Sequence, residues 1–156
     1  MSETNPFAAD DPDRHAIWEL LVRRDSDFFL SGDAALVAAD YVETGFLGID
    51  AGLSLDPAGW RPAYPTLALY LDAARAARWN PADFAVPLRP AWFACQSLPQ
   101  IDLAGDAALA HKHISGRIPR RDGTALDLAW RSIFQLRRTP TGWRIAGFVG
   151  YLPLAE

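Results

Sequence analysis

Asp25, His111, His113 and Tyr151 are the residues of this sequence whose types and spacing could move a proton. Ile17, Trp18, Leu21, Val22, Phe28 and Phe29 recur at helical spacing and form one apolar stripe. Asp25 lies inside that stripe, one turn after Leu21 and one turn before Phe29, whereas Ser26 and Asp27 point away. A carboxylate there loses hydration, which raises its pKa unless a cation or hydrogen-bond donors compensate. The plainer alternative is a helix-end Asp that bends out to water or bonds a backbone N–H. His111 and His113 stand two apart on a strand, so they share a face. With Asp25 they could complete a two-His-one-carboxylate metal set. Strand histidines on a wall of Trp and Phe are more often hydrogen-bonded core residues, so neither a metal nor a cofactor is expected.

The stretch that must position most of these groups runs from Asp106 to Leu152. Two alternating runs, 107–118 and 125–138, flank Asp122-Gly123, the pair favoured in a two-residue type I′ hairpin turn. A second turn, Thr139-Pro140-Thr141-Gly142, leads into a third strand, 143–152. A two-residue loop sets His113 opposite Ser132 and His111 opposite Phe134. Pairing across the second turn sets Phe134 opposite Gly147, Ser132 opposite Val149 and Trp130 opposite Tyr151. One face then gathers Leu109, Leu128, Trp130, Phe134, Leu136, Trp143, Ile145, Val149 and Tyr151, together with both histidines and Ser132. The other gathers Lys112, Asp127, Arg131, Gln135 and Arg144 around Ile114, Ile133 and Phe148. That mixed face is expected to carry a homodimer interface, since three large apolar residues are unusual on a fully wet surface.

The first helix opens with Asp11 as N-cap and Pro12 at its first position, and stops at Ser31-Gly32. Residues 1–11 read as a flexible tail, and 12–156 as one domain. A short helix is expected over 33–40, an edge strand over 41–51, a loop over 52–65 and a third helix over 66–79. Four prolines argue against regular structure over most of 80–99, apart from a short strand at 92–95. A further strand covers 100–104. Helices in the first half and antiparallel strands after them make an α+β plan, with helices gathered on one face of a curved antiparallel sheet.

With 156 residues, half of them hydrophobic, the chain can bury a substantial core. A net charge of −4 and scattered arginines give no basic stripe, so nucleic acid is not an expected partner. No apolar run reaches membrane-spanning length. The lone Cys95 and an acidic rather than basic-then-apolar N-terminus fit a cytoplasmic protein.

The element order, the Ser31-Gly32-Asp33 helix end, the run Phe46-Leu47-Gly48-Ile49-Asp50 and the run Gly142-Trp143-Arg144-Ile145-Ala146-Gly147-Phe148 resemble the nuclear transport factor 2-like superfamily. The nearest resemblance is to its SnoaL-like and ketosteroid-isomerase-like members, and it covers roughly residues 12–153. It implies a cone with three helices packed on the concave side of the sheet, enclosing a pocket, and a dimer. Asp25, His111, His113 and Tyr151 would then be the acid–base groups, acting beside the carbonyl of a small apolar or aromatic ligand. Trp18, Val22, Phe29, Tyr41, Trp130, Ser132, Phe134 and Val149 would line the ligand, with Tyr41 at the pocket mouth. An isomerase, dehydratase or cyclase is the implied activity, and a non-catalytic ligand-binding or assembly domain is the alternative.

Overall fold

The computed structural model describes residues 3–154. Its first long helix is three segments in line: α1 (Pro12–Trp18), a π-helical turn (Glu19–Arg24) and α2 (Asp25–Ser31). Asp11 caps the start, its carboxylate accepting from the Arg14 N–H, and Gly32 ends α2 in the left-handed region at φ 77°. Arg75 and Arg78, at the end of α3 (Leu67–Ala76), reach back to the carbonyls of Gly32 and Ser31. They satisfy acceptors that a helix end leaves orphaned. In this way α3 is fastened across the end of the first helix.

Residues 3–11 lie against that helix. The Asn5 amide donates to His15 O at 3.0 Å and Glu19 Oε1 at 3.1 Å, and Phe7 packs on the core.

Among the described residues, six strands form one open sheet in the order β2–β1–β6–β5–β4–β3, where β1 is Leu47–Asp50, β2 Arg61–Tyr64, β3 Gln96–Ala104, β4 Ala107–Pro119, β5 Ala125–Thr139 and β6 Gly142–Leu152. All neighbours are antiparallel except β1 and β6, which run parallel. Several local expectations are corrected here. The edge strand read over 41–51 shortens to β1 and lies inside the sheet, because β2, hidden in the Gly- and Pro-rich loop, takes the edge. The short helix over 33–40 is a pair of 3₁₀ turns. The strand read at 92–95 is instead part of a helix, α4 (Leu88–Ala94), whose Pro90 falls in the first turn, where a missing N–H costs nothing.

The correction with the widest reach is the hairpin between β4 and β5. Arg120 pairs with Thr124 across the loop, so Arg121-Asp122-Gly123 forms a three-residue connection with Gly123 at φ 87°. A left-handed glycine after a type I turn is the usual three-residue solution. One extra loop residue slides β4 by one, and side chains alternate with period two, so every β4 residue changes face. Lys112 now stands opposite Ser132 and His113 opposite Arg131. Strand β5 keeps its expected face. Strand β6 does not, because Ala146 is an extra residue in a bulge: Leu136 pairs with Ile145 but Gln135 with Gly147. Beyond it Phe148 faces inward and Val149 outward.

The concave side thus presents Ala108, Ala110, Lys112 and Ile114 from β4, Trp130, Ser132, Phe134 and Leu136 from β5, and Trp143, Ile145 and Phe148 from β6. It packs on Ile17, Trp18, Leu21, Val22 and Phe28 of the first helix, all at most 1 % exposed. Burying each such side chain contributes roughly 1.5–3 kcal/mol. Of the three apolar residues expected outside, Ile114 and Phe148 are interior, and only Ile133 remains. Leu109 and Val149, expected inside, join it on the outer face, where Leu109 is exposed.

Candidate functional site

Between the first helix, α3, α4 and the concave sheet lies a cavity of about 270 Å³. Its wall is largely aromatic: Phe28, Phe29, Tyr64, Tyr70, Trp79, Trp92, Trp130, Phe134, Phe148 and Tyr151. Phe29 meets Trp79 edge-on at 5.0 Å, and Trp79 meets Trp92 at 5.2 Å. Such pairs contribute about 0.5–1.5 kcal/mol each beyond area burial and hold the wall rigid. Tyr64 and Tyr151 also border a shallow hollow with Asp50, Gly52 and Leu53, so they stand between the cavity and the surface.

Against this apolar wall sit one carboxylate and one ammonium. Lys112 Nζ lies 3.1 Å from Asp25 Oδ2 and donates to Leu21 O at 2.6 Å. The π-helical turn explains the second bond. In an α-helix the Asp25 N–H would bond Leu21 O; here it goes to Val22 O, and Lys112 occupies the carbonyl that the α-helical ladder would have used. Such turns recur at functional sites because they redirect one side chain without breaking a helix. Lys112 is 4 % exposed, and its charge is tolerated because both acceptors are in place.

Tyr70 lines the cavity, and Tyr41 lies one layer behind it, their ring centroids 6.2 Å apart. Burial pushes both phenols well above the usual tyrosine range, with Tyr70 and Asp25 adding to the effect at Tyr41 and Asp25 and Tyr151 adding to it at Tyr70, so both keep their protons. Tyr151 is also pushed up, first by burial and then by Tyr64, Asp50 and Asp25. Two neutral phenols, Tyr70 and Tyr151, therefore line the cavity together with one carboxylate.

Of the residues expected to act, Asp25 and Tyr151 reach the cavity, the latter through a left-handed backbone at φ 56° that turns its ring inward onto Trp130. His111 and His113 do not. The three-residue hairpin places both on the outer face, where His111 Nε2 is 3.9 Å from Asp102 Oδ2 and His113 stands beside Arg131. Asp25 and the two histidines are thus on opposite sides of the sheet, and the metal set they could have formed is not assembled. Phe29, Trp130, Ser132 and Phe134 line the cavity as expected. Trp18 and Val22 are buried in the core beside it, Tyr41 stands behind Tyr70, and Val149 faces outward. Lys112 and Tyr70 were not foreseen as site residues. The signal for Lys112 was in the composition, since it is the one lysine in the chain.

No family model matches the sequence, and no curated protein matches it. Solved structures do. A protein with a cystatin-like fold, itself called nuclear transport factor 2-like, from Novosphingobium aromaticivorans is 22 % identical over 92 % of this chain and 84 % of its own, with a TM-score of 0.59. A nuclear transport factor 2-like superfamily protein from Salmonella enterica is 18 % identical over 95 % of both chains, with a TM-score of 0.60. A third, of unknown function, from Pseudomonas putida is 18 % identical over 94 % of this chain and 89 % of its own, with a TM-score of 0.57. At these identities the likeness extends to the fold and not to an activity.

Proposed function

We propose, from the premise that this chain has the nuclear transport factor 2-like fold, that its cavity binds a small apolar or aromatic carbonyl compound and runs acid–base chemistry on it. The observation that carries this reading is the Asp25–Lys112 pair facing an aromatic wall. An apolar pocket with a few convergent polar groups is the usual form of a small-molecule site. A charged pair there is expensive to keep, and a hydrophobic replacement of similar size would often be no less stable.

The chemistry follows from the positions. The Lys112 hydrogen bond engages Oδ2 of Asp25, so Oδ1 is left for a ligand. With the carbonyl oxygen of a ligand near Lys112 Nζ, the adjacent C–H comes within reach of Asp25. The carboxylate takes that proton, and the electron pair moves onto the carbonyl oxygen. Lys112 Nζ and the Tyr70 hydroxyl stabilise the enolate that forms. Returning the proton to another carbon is an isomerisation; expelling a β-hydroxyl is a dehydration; attack of the enolate carbon on a second carbonyl is a cyclisation. The outer sheet face, with Leu109, Ile133 and Val149, serves in this reading as a homodimer surface. A cytoplasmic setting is part of the same reading, supported by the free, buried Cys95.

Two measurements test the reading. Trp79, Trp92 and Trp130 line the cavity, so a bicyclic aromatic ketone should quench tryptophan fluorescence saturably. In D₂O the same ketone should lose its α-protons to solvent faster with the protein than without it, as followed by NMR. Absence of saturable quenching across a panel of aromatic ketones would remove the reading. Quenching without exchange would leave a binding module. The dimer is tested separately by sedimentation of the wild type and of Leu109→Lys.

A further inference from the structure

The chain contains fourteen arginines and a single lysine, and the lysine is the residue in the cavity. Arginine serves as the cation in the surface ion pairs at Asp11, Glu19, Asp50, Asp127 and Asp13. It also serves Asp40, whose side chain is only 10 % exposed against 24 % for Asp25. Pairing a sheltered carboxylate therefore does not by itself call for lysine in this protein. What lysine offers and arginine does not is an amine that can give up its proton and become a nucleophile.

We propose that Lys112 captures the carbonyl carbon of the cavity's ligand covalently, as an iminium, with Asp25 carrying the protons. The proposal rests on the reading that the cavity takes a carbonyl compound. Asp25 Oδ2, 3.1 Å from Nζ, first takes a proton from the ammonium, leaving a neutral amine and a carboxylic acid. The nitrogen lone pair attacks the carbonyl carbon, forming the C–N bond as the C=O π pair moves to oxygen. The acid gives that oxygen a proton, and the carboxylate takes one from nitrogen, which yields the neutral carbinolamine. The acid then protonates the hydroxyl, the C–O bond breaks, water leaves with its electron pair, and the nitrogen lone pair closes the C=N bond. Two of the three ammonium protons end in the water and the third stays on the iminium nitrogen. Charge is conserved, because the iminium replaces the ammonium opposite the Asp25 carboxylate.

Three features of the site favour this course. The hydrogen bond to Leu21 O holds the amine in one orientation. The aromatic wall disfavours isolated charge. Asp25 sits where it can relay both proton transfers and afterwards take the α-proton, which an iminium acidifies far more than a ketone does. Lys112 then acts as an electron sink rather than only as a donor to an enolate.

The single lysine makes the test direct. The native protein is incubated with benzaldehyde or cinnamaldehyde and sodium cyanoborohydride, which reduces an iminium to a stable secondary amine. Peptide mass spectrometry then compares two amines, Lys112 and the chain's α-amino group. The proposal expects Lys112 to be modified in the folded protein despite its burial, and the rate to fall by about 10²-fold in Asp25→Asn, the usual contribution of a positioned proton carrier. Lys112→Arg should show modification at the α-amino group alone. Modification confined to the α-amino group of the native wild type, with Lys112 reacting only after unfolding in urea or not at all, overturns the proposal whatever the variants do. In that event tryptophan quenching by the same aldehydes separates the two ideas: if it persists, the pocket binds carbonyl compounds without capturing them, and if it is absent, the carbonyl reading falls as well.

Discussion

Among the described residues, two ion pairs join the first helix to the sheet, and they are built differently. Near the start of the helix, Asp13 receives two parallel bonds from Arg138 at 2.8 and 3.0 Å and a third from Trp143 Nε1 at 3.1 Å. The guanidinium also lies 4.6 Å above the Trp143 ring. Every acceptor has a partner, and both side chains remain partly wet, at 30 and 40 % exposure. Twelve residues on, Asp25 receives one bond from Lys112, and the lysine side chain is 6 % exposed. The outer pair is a bidentate fastening that uses the planar fork of arginine. The inner pair is sparser and drier, and it leaves acceptor capacity facing a cavity. Satisfied geometry marks the pair that holds the fold; the incompletely satisfied pair marks the site.

The difference is broken most severely at Lys112. In Lys112→Met the Asp25 carboxylate stays behind without its cation, and losing one partner of a sheltered pair costs about 3 kcal/mol. For a chain of this size the melting temperature should fall by roughly 6–12 °C, measured by circular dichroism. Adding Asp25→Asn to that variant should recover part of the loss, because the abandoned charge is gone. A double variant no more stable than Lys112→Met would mean that the pair's electrostatics contribute little. Asp25→Asn alone is somewhat milder for stability, about 2 kcal/mol, because Leu21 O and an amide oxygen still accept from the ammonium left without its counter-charge, but it should lower α-proton exchange of a bound ketone by about 10²-fold or more. Equal exchange in Asp25→Asn and wild type would take the base role away from Asp25.

At the outer pair, Asp13→Asn should cost about 1 kcal/mol or less, as partly exposed pairs do, with no change in ketone binding. Its pH dependence has a definite sign. The Arg138 guanidinium, with help from Trp143, holds the Asp13 carboxyl below its usual value near 3.8. A carboxyl depressed in the folded state contributes stability that is present above the unfolded pKa and lost as pH falls through the folded one. Urea titrations of wild type and Asp13→Asn should therefore differ by a constant amount down to about pH 4 and converge in stronger acid. Convergence that begins near neutrality would assign the coupling to another group.

How much of this was legible in the sequence depended on the period of the signal. The first helix, its Asp11 cap and its Gly32 stop follow from a long 3.6-residue pattern with strong boundary residues, and Asp25 was found because it interrupts that pattern. The β5 face was equally clear, since Trp130, Phe134 and Leu136 alternate with polar neighbours. The β4 face was not. Its residues are small or ambivalent: Ala108, Ala110 and Ile114 on one side, Leu109, His111 and His113 on the other. Parity there rested entirely on the length of one turn. Asp-Gly suits both a two-residue loop and the end of a three-residue loop, so the sequence was degenerate where a single residue exchanged Lys112 for His113. The Ala146 bulge did the same to Phe148 and Val149. Strand β2 carries Pro62 and exposed residues, as edge strands do, and left no apolar alternation to read.

The smallest effects are expected where β4 turns its histidines outward, and they sharpen the contrast between the two faces of one strand. His113 is shifted below its usual pKa, first by partial burial and then by the charges of Arg131 and His111. A histidine depressed in the folded state favours the neutral form there, so the unfolded chain binds the proton more readily. The stability tied to neutral His113 is present above the unfolded value near 6.5 and lost as pH falls through the folded pKa. Substituting His113→Gln should flatten the decline in stability just below pH 6.5 and change stability at pH 8 by no more than about 0.5 kcal/mol, as surface changes usually do. Ketone quenching and α-proton exchange should be untouched, since the side chain is on the far side of the sheet from Asp25. A loss of exchange in His113→Gln, with the fold intact by circular dichroism, would mean that the outer face takes part in the chemistry. The division of labour between the two faces of β4 would then be wrong.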